Sequence, residues 1–546
     1  MTRRGEEALA VAVPLALAVV AFVQVLGYPF VNWDDPSHFL DNPLAAHPLA
    51  NGWRGLFWTR EIGYPAPVLL LSFALDRVLF GLSPGPYHAE NLALHLANVA
   101  MLYALARRMR LPPAQACVVA ALFAVHPLVA EPVSWVTGRK DVLSTTMLLA
   151  AVHIASRGSD EDDPGAKGRW LAASFLAVLC VLVLPRMVVA PLLVVLLVHG
   201  IRPAWSVRRM ALRMAPSASI AVGIAALGAM QVAELGAVSS RRWMDVPLDI
   251  GGALALQLGH LVWPVDLLAY YIRVPGDPPV WKMVLAVAVA VAALGLALTR
   301  TSKDSPVRLG FLAAAIAYAP VSCVFRIVRW TADSYMYVPL LAVSLAIVPL
   351  VARAWPKNLA RFGMWACAAL AVTLALLSFT ASERYRSSTS VWAGSIARYP
   401  NEPLSFEHEA LGLLHDGHFD EANTLFREMA VRFPDWSDTF DDEVRAYVAA
   451  GDEPRAAQVL ARGVRAGSLE CIRMYWMGLL RAPSLPEAAD RELVRVAFRN
   501  GFGAMKEGLH DPAQFRRVAE ILRAVDLRED ADQAAAHAEE LERRLR

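Results

Sequence analysis

The chain has 546 residues, of which 56% are hydrophobic and 19% are charged, and its mean hydropathy is +0.40. This composition is too apolar for a soluble multi-domain enzyme and is typical of an integral membrane protein. The net charge of only +2 excludes a global field that would attract nucleic acid. Five scattered cysteines without metal-ligand spacing predict neither a disulfide framework nor a zinc site.

Apolar stretches that span or nearly span a bilayer recur from the N-terminus to about residue 380. The first follows two arginines and precedes an aromatic belt, which predicts an anchor that is not cleaved. We predict about eleven transmembrane helices, at roughly 8–28, 88–107, 114–130, 141–156, 170–184, 187–202, 214–233, 281–299, 309–325, 335–352 and 362–380.

Basic loops orient these segments, because Lys and Arg concentrate on the cytoplasmic side of a membrane. They place the N-terminus in the cytoplasm and the part of the chain after residue 380 on the periplasmic or extracytoplasmic side, with a bacterial inner membrane as the expected location. In the long outer loop 29–87, residues 67–81 are predicted to form a surface-lying helix. Residues 250–270 are interpreted as re-entrant or interfacial, since a crossing there would move later basic loops outside; whether they cross stays open.

After residue 380 the hydrophobic runs stop and charged residues recur at helical spacing. Similar residues lie 34 positions apart, namely Gly417 and Gly451, Ala422 and Ala456, Phe426 and Leu460, and Leu413 and Tyr447. This period is typical of tetratricopeptide repeats. The chain is therefore predicted to be all-α, with a polytopic membrane helix bundle at 1–380 and a tetratricopeptide-like α-solenoid at 381–546.

Two adjacent carboxylates, Asp34 and Asp35, follow the first apolar stretch in the string Asn-Trp-Asp-Asp-Pro. Ionisable groups at that depth cost several kcal/mol unless they serve a function. Asp-Pro pairs also commonly begin turns, so a structural role stands beside that of a catalytic base.

Polar residues follow one face of the second predicted span, at His88, Asn91, His95 and Asn98. Steps of three and four residues bring them to the same side of a helix. Such a stripe predicts either hydrogen bonds between helices or the polar wall of a cavity. In the second interpretation, the first three of these residues bind substrate.

Two later outer loops combine cations, acids and aromatic side chains, against the positive-inside trend. Their candidate residues are His126, Glu131, Trp135, Arg139 and Lys140 in one loop, and Arg329, Asp333 and Tyr335 in the other. Arg and Lys at the outer edge of a membrane are suited to hold a lipid phosphate, and interfacial snorkelling is the alternative. Neither a phosphate-binding glycine loop nor a serine-hydrolase motif occurs in a persuasive context, so ATP-driven transport and serine hydrolysis lack support.

At this point the chain resembles the transmembrane and tetratricopeptide-repeat-containing O-mannosyltransferase-like proteins, which are GT-C glycosyltransferases. The segments that carry the resemblance are NWDDPSHFLDNP (32–43), GPYHAENLALHLAN (85–98), HPLVAEPVSWVTGRKD (126–141), WPVDLLAYY (263–271), ADSYMYVP (332–339) and LGLLHDGHFDEA (411–422). Two positions depart from the family pattern. Ser334 stands where the family usually has an arginine, which Arg326 or Arg329 would have to replace, and Arg186 lies where it tends to have a lysine.

The resemblance implies a polyprenyl-phosphate-linked sugar as donor and a hydroxyl, from Ser or Thr of a protein, as acceptor. It implies inverting transfer with Asp34 or Asp35 as the base, with a slight preference for Asp34. Glu131 and His126 would orient the acceptor or the base. The donor phosphate would be held by Arg139, Lys140, Arg186 and Arg329.

The partners expected on this basis are the lipid-linked sugar, the bilayer, and an acceptor protein presented by the repeats, without nucleic acid. No cofactor is expected. No metal site is predicted, although oxygen ligands from Asp34, Asp35 and Glu131 leave a divalent ion open.

Other functions remain compatible with the sequence. A non-catalytic membrane scaffold would act through the repeats alone. A transporter for a lipid-linked glycan would need an inverted internal repeat, for which one broken helix near Trp263-Pro264 is the sole sign. A related transferase that modifies a lipid or polysaccharide falls within the leading class.

Overall fold

A computed structural model describes residues 3–49, 52–58, 62–158, 160–234, 245–274, 276–323, 329–356, 360–433, 440, 443–444, 447–448, 451–481, 491–508 and 512–545. Across these ranges the regular elements are helices throughout, so the expected all-α fold is confirmed. The chain divides into two compact units, Met1–Pro400 and Asn401–Arg546.

The first unit is built from long apolar helices joined by short helical turns. Its helices are α1 Arg3–Phe22, α2 Pro43–Ala46, α3 Gly52–Phe57, α4 Pro67–Phe80, α5 Pro84–Arg108, α6 Pro113–Val125, α7 Ala130–Ser134, α8 Arg139–Ala155, α9 Ala166–Val183, α10 Ala190–Ile201, α11 Val207–Glu234, α12 Val246–Val262, α13 Val280–Arg300, α14 Pro306–Tyr318, α15 Tyr337–Ala354, α16 Ala360–Ser382 and α17 Ser388–Arg398.

Within the described residues, six helical segments are long and apolar enough to cross a membrane. They are Gly5–Gly27, Ala166–Val183, Val207–Val232, Val280–Arg300, Asp333–Ala354 and Trp365–Tyr385. A seventh is added if α6 and the helical residues Pro127–Ser134, which meet at a bend of 55°, form one span. The chain is therefore a multi-pass membrane protein, and the count of about eleven crossings remains a prediction.

Helix α6 lies inside this unit and packs against α1, α5, α15 and α16. Its alanines permit close approach, since small residues let helix backbones come together without a hydrophobic driving force. Ala116, Ala120 and Ala124 are fully buried there. By contrast, α13 exposes Val284, Leu285 and Val291, as expected for a helix that faces lipid.

Two segments whose position was uncertain from sequence form helices. Helix α4 covers the predicted surface-lying segment and exposes a row of apolar side chains that includes Leu71, Leu75 and Val78. Helix α12 ends at Val262, and its C-cap Trp263 directly precedes Pro264, where the sequence indicated a break. Proline restricts the preceding residue to extended conformations, which accounts for the end of the helix.

The second unit consists of amphipathic helices, α18 Pro403–His415, α19 Phe419–Arg432, α20 Glu453–Ala466, α21 Leu469–Arg481, α22 Arg491–Gly508, α23 Pro512–Ala524 and α24 Arg528–Leu545. Gly417 and Gly451, which are 34 residues apart, both have positive φ, at 83° and 75°. Ala422 and Ala456, at the same spacing, are both buried. Equivalent positions of the sequence period thus share a local environment.

Candidate active site

The acidic motif lies between the end of the first span and a short helical turn, Pro36–Leu40, that Asp35 precedes. The Asp35 side chain is fully buried. One carboxylate oxygen accepts hydrogen bonds from the backbone N–H and hydroxyl of Thr137, at 3.2 and 2.6 Å, and the other accepts one from the Val31 N–H at 3.1 Å. Burial raises the pKa of Asp35 to about 6, against the effect of these bonds.

Asp34 has a different environment, although it is the adjacent residue. Its side chain is 32% exposed, and its Oδ2 lies 3.3 Å from Nζ of Lys140. Burial opposes the charge of Asp34, but the attraction of Lys140 and other nearby groups outweighs this, so that the pKa of Asp34 lies below its usual value. Asp34 is therefore ionised at neutral pH and, of the two acids, is the one accessible to a ligand.

Aromatic rings surround this ion pair. The ammonium of Lys140 lies 4.7 Å from the ring centroid of Trp135, which contacts Trp33 at 5.5 Å. Trp33 stacks on Trp392 at 4.5 Å, and the guanidinium of Arg329 lies 4.8 Å from the ring centroid of Trp33. Cations near indole faces are attracted by the ring quadrupole, so these contacts fix the directions of both charges.

Two further cations reach the same region from distant parts of the chain. Arg329 forms an ion pair with Glu131 at 2.7 Å, and Glu131 also accepts a 3.3 Å hydrogen bond from the Ser334 N–H. Arg186 pairs with Asp141, the residue after Lys140, and lies 4.6 Å from the ring of Tyr335. The hydroxyl of Tyr335 donates to the Arg329 carbonyl at 3.3 Å, which links the two cations.

Asp333 and Arg384 form a fourth pair, and Arg384 was not identified from the sequence. Asp333 is buried, accepts a 2.7 Å hydrogen bond from the Tyr271 hydroxyl, and has Arg384 Nη1 3.6 Å from its other oxygen. The sequence does carry a signal: Arg384 directly follows the last apolar stretch, on the side predicted to be outside. A cation on the outer side opposes the positive-inside trend, as do the cations of the two candidate outer loops.

Arg139, predicted to hold phosphate, has other partners. Its side chain is fully buried and pairs with Asp76 at 2.6 Å and Glu90 at 3.1 Å. Its Nε donates to Asn91 at 3.2 Å, and its guanidinium lies 4.6 Å from the ring of Phe73. These contacts neutralise the charge of Arg139 and connect α8 with α4 and α5.

The polar stripe of α5 is buried as well. Asn91 donates to the carbonyls of Trp135 and Val136 at 2.9 and 3.1 Å, which holds the loop before α8 in place. His95 bonds the Tyr337 hydroxyl at 2.7 Å and the Ala124 carbonyl at 3.0 Å, while His88 lies edge-on to Tyr28. These contacts correspond to the first alternative, hydrogen bonding between packed elements.

His126 stabilises the bend between α6 and the following helical turn. Its Nδ1 accepts a 3.2 Å hydrogen bond from the Leu128 N–H, and its Nε2 lies 3.1 Å from the Leu261 carbonyl on α12. Both ring nitrogens are thus engaged by the backbone.

The carboxylates considered for a divalent ion have other contacts. Asp35 accepts from Val31 and Thr137, and Glu131 pairs with Arg329. In the part of the chain that the structure describes, no group of three or more His, Cys, Asp or Glu side chains is arranged to hold a metal ion.

Comparison with known proteins gives several relatives of one kind. The chain is 36% identical to Protein O-mannosyl-transferase Tmtc1 of Drosophila melanogaster over 145 residues, which are 25% of this chain and 17% of the relative. It is 33% identical to Protein O-mannosyl-transferase TMTC3 of Mus musculus over 138 residues, 23% of this chain and 15% of the relative. It is 30% identical to Protein O-mannosyl-transferase F38B6.6 of Caenorhabditis elegans over 158 residues, 26% and 22% respectively.

No family model matches the chain, and no solved structure matches it at a significant level. The matched part spans less than a quarter of the length of these three relatives. The resemblance predicted from the motifs is confirmed: over about a quarter of its length, this chain is similar to the TMTC protein O-mannosyl-transferases.

Proposed function

We propose that this chain is a membrane glycosyltransferase that moves a sugar from a polyprenyl-phosphate carrier to a hydroxyl group, from Ser or Thr of an acceptor protein, with inversion. The observation that carries the proposal is the accessible Asp34 carboxylate beside Lys140, with Arg186 and Arg329 in the same cluster. The relatives are named as protein O-mannosyl-transferases, which agrees with a protein acceptor and makes mannose the first sugar to test.

The chemistry needs a base on one side of the anomeric carbon and positive charge on the other. The acceptor oxygen attacks the anomeric carbon while the bond between that carbon and the phosphate oxygen breaks, and the acceptor proton passes to Asp34. The bonding electrons leave with the lipid phosphate, whose negative charge the cations stabilise. A carboxylate with a pKa below its usual value is already in the required charge state.

Asp35 has a positioning role in this proposal. Its hydrogen bonds from Val31 and Thr137 fix the turn that presents Asp34, and its full burial keeps its oxygens away from an acceptor. Glu131 likewise orients Arg329. His126, Asn91, His95 and Arg139 support the surrounding helices.

The proposal includes a GT-C arrangement with about eleven crossings and an N-terminus in the cytoplasm. Short apolar helical segments, Pro185–Ile201, Val246–Val262 and Pro306–Val321, would supply crossings or near-crossings beyond the long ones. The helices of the second unit would form tetratricopeptide repeats that present the acceptor, a role supported by the shared geometry of Gly417 and Gly451.

The test replaces Asp34 and uses Asp41 as a matched control. Asp34→Asn should lower sugar transfer by about 10²- to 10⁴-fold, the range for a general base. Asp41 is an exposed carboxylate of the same motif, so Asp41→Asn should transfer at the wild-type rate. The measurement is the hexose on exported proteins, by mass spectrometry of cells that carry each variant of the full chain in place of the native gene.

Wild-type hexose levels in the Asp34→Asn strain would contradict the base assignment. If removal of the whole gene leaves every exported protein unchanged in hexose content, the scaffold function takes its place.

A further inference from the structure

The segment that follows the last apolar helix is built into the candidate active site. Ser388 accepts a 3.0 Å hydrogen bond from the N–H of Asn32, two residues before Asp34. Trp392 stacks on Trp33, and Ser395 donates to the Tyr270 carbonyl at 3.1 Å. Residues 383–398 therefore belong to the surroundings of the acidic motif, although the sequence analysis assigned them to the second domain.

This segment supplies a cation whose environment differs from those of the other three. Lys140 has its carboxylate partner at 3.3 Å, and Arg329 has one at 2.7 Å together with a backbone carbonyl. Arg186 is hydrogen-bonded to Asp141. Each of these charges has a carboxylate within hydrogen-bond distance.

Among the residues that the structure describes, the carboxylate paired with Arg384 is farther away, at 3.6 Å for Asp333 Oδ2. Its guanidinium makes no hydrogen bond with any residue that the structure describes, yet its side chain is only 13% exposed. Asp333 is already bonded by Tyr271, at 2.7 Å to its other oxygen. A guanidinium carries five N–H donors in a planar fork, so a nearly buried one with this much unused capacity is suited to an anionic ligand.

The shape of the donor set limits which anion fits. Two parallel N–H groups of an arginine match two oxygens of a phosphate, and they do so better than a lysine ammonium can. Asp34 and Glu131 in the same cluster would repel an anion that lacked such a partner. The expected ligand is therefore a phosphate ester. Its negative charge needs Arg384 as a partner in addition to Lys140, Arg186 and Arg329.

Resting on the function proposed above, we propose that Arg384 binds the phosphate of the lipid-linked donor and is the principal guanidinium of that subsite. Lys140, Arg186 and Arg329, each paired with a carboxylate, then add positive charge around that phosphate without being its principal ligand. The last apolar helix and the turn after it thus contribute directly to donor recognition.

The experiment measures binding of radiolabelled undecaprenyl phosphate to the full chain in nanodiscs. Arg384→Gln should weaken binding at least tenfold, and Arg384→Lys should weaken it less. Arg386 is exposed and two residues away, so Arg386→Gln should bind as the wild type does. Uncharged undecaprenol, as a second probe, should bind all of these proteins equally.

Asp333→Asn separates phosphate binding from a structural defect. Because it frees Arg384 from its carboxylate, phosphate binding should be retained or strengthened. If Arg384 only holds Asp333 in place, this variant should instead weaken binding as much as Arg384→Gln does, which would overturn the proposal.

The inference also fails if Arg384→Gln binds undecaprenyl phosphate like the wild type, or if Arg386→Gln loses as much affinity. These results leave the assignment of Asp34 intact, since that is tested by transfer. Absence of undecaprenyl phosphate binding by the wild type would overturn both the donor class and this inference.

Discussion

Arg139 and Lys140 are adjacent in the chain and begin the same helix, yet they enter opposite kinds of surroundings. Arg139 lies in a closed cluster with Asp76, Glu90 and Asn91, where its guanidinium is fully buried. Lys140 lies in an open cluster, which consists of the pairs Asp34–Lys140, Asp141–Arg186, Glu131–Arg329 and Asp333–Arg384.

The difference lies in how completely each charge is satisfied. In the closed cluster, one guanidinium has two carboxylates, an amide oxygen and an aromatic ring. In the open cluster, each cation is paired with a single carboxylate and keeps 11–16% of its side chain exposed, and the Asp34 side chain is 32% exposed. Buried pairs of the first kind hold helices together, whereas accessible charges of the second kind are available to a ligand.

The largest expected effect tests the closed cluster. Arg139→Met would leave Asp76 and Glu90 without their cation, so the free energy of unfolding should fall by about 3–5 kcal/mol. Denaturant unfolding of the purified protein in detergent measures this loss. If Arg139→Met is as stable as the wild type but does not bind the lipid donor, Arg139 contacts the donor and the two clusters do not differ in role.

A smaller effect, on rate instead of stability, is expected in the open cluster. Lys140→Met leaves behind Asp34, whose side chain is 32% exposed, so the unfolding free energy should fall by less than in Arg139→Met. Transfer should fall by about 10- to 100-fold.

The pH profile of this variant identifies the cause. Lys140 lowers the pKa of Asp34, so its removal should raise that pKa and move the acidic limb of the rate profile to higher pH. Transfer should then be lost at a higher pH than in the wild type as the medium is acidified. A profile with an unmoved acidic limb would separate Lys140 from the base.

The smallest effect concerns the polar stripe of α5. Tyr337→Phe removes the hydroxyl that bonds His95 at 2.7 Å and Asn98 at 3.2 Å. We expect a loss of about 1–2 kcal/mol in unfolding free energy and an unchanged transfer rate. If the rate falls while stability is retained, the stripe faces substrate after all.

Much of the fold follows from the sequence because lipid admits few structures. Long apolar runs must be helical there, since each backbone N–H and C=O group needs an internal partner. Helix α4 and the end of α12 were predicted from one charged pair and one proline. The count of crossings was harder to derive, because short apolar helices such as α10 and α14 have the same composition whether they span or stop within the bilayer.

The open cluster was predicted only in part. Lys140 and Arg329 were identified because cations in outer loops conflict with the usual charge pattern. Asp34 was identified from the pair of acids that follows the first apolar stretch, and Arg186 from the family resemblance. The same charge pattern also selected Arg139. The sequence alone does not show whether a cation at the start of a helix points toward acids on α4 and α5 or toward the open cluster. Arg384 was missed because its partner, Asp333, is 51 residues earlier and no local motif joins them.

His126 links two separate helices through one rigid ring. The imidazole bonds Leu128 after the 55° bend and the Leu261 carbonyl near the end of α12. A five-membered ring does not stretch, so the elbow of the broken helix keeps a set spacing from α12. Glu131 lies one turn beyond the bend, so its distance from α12 is set by these contacts of His126 and depends on where α12 ends.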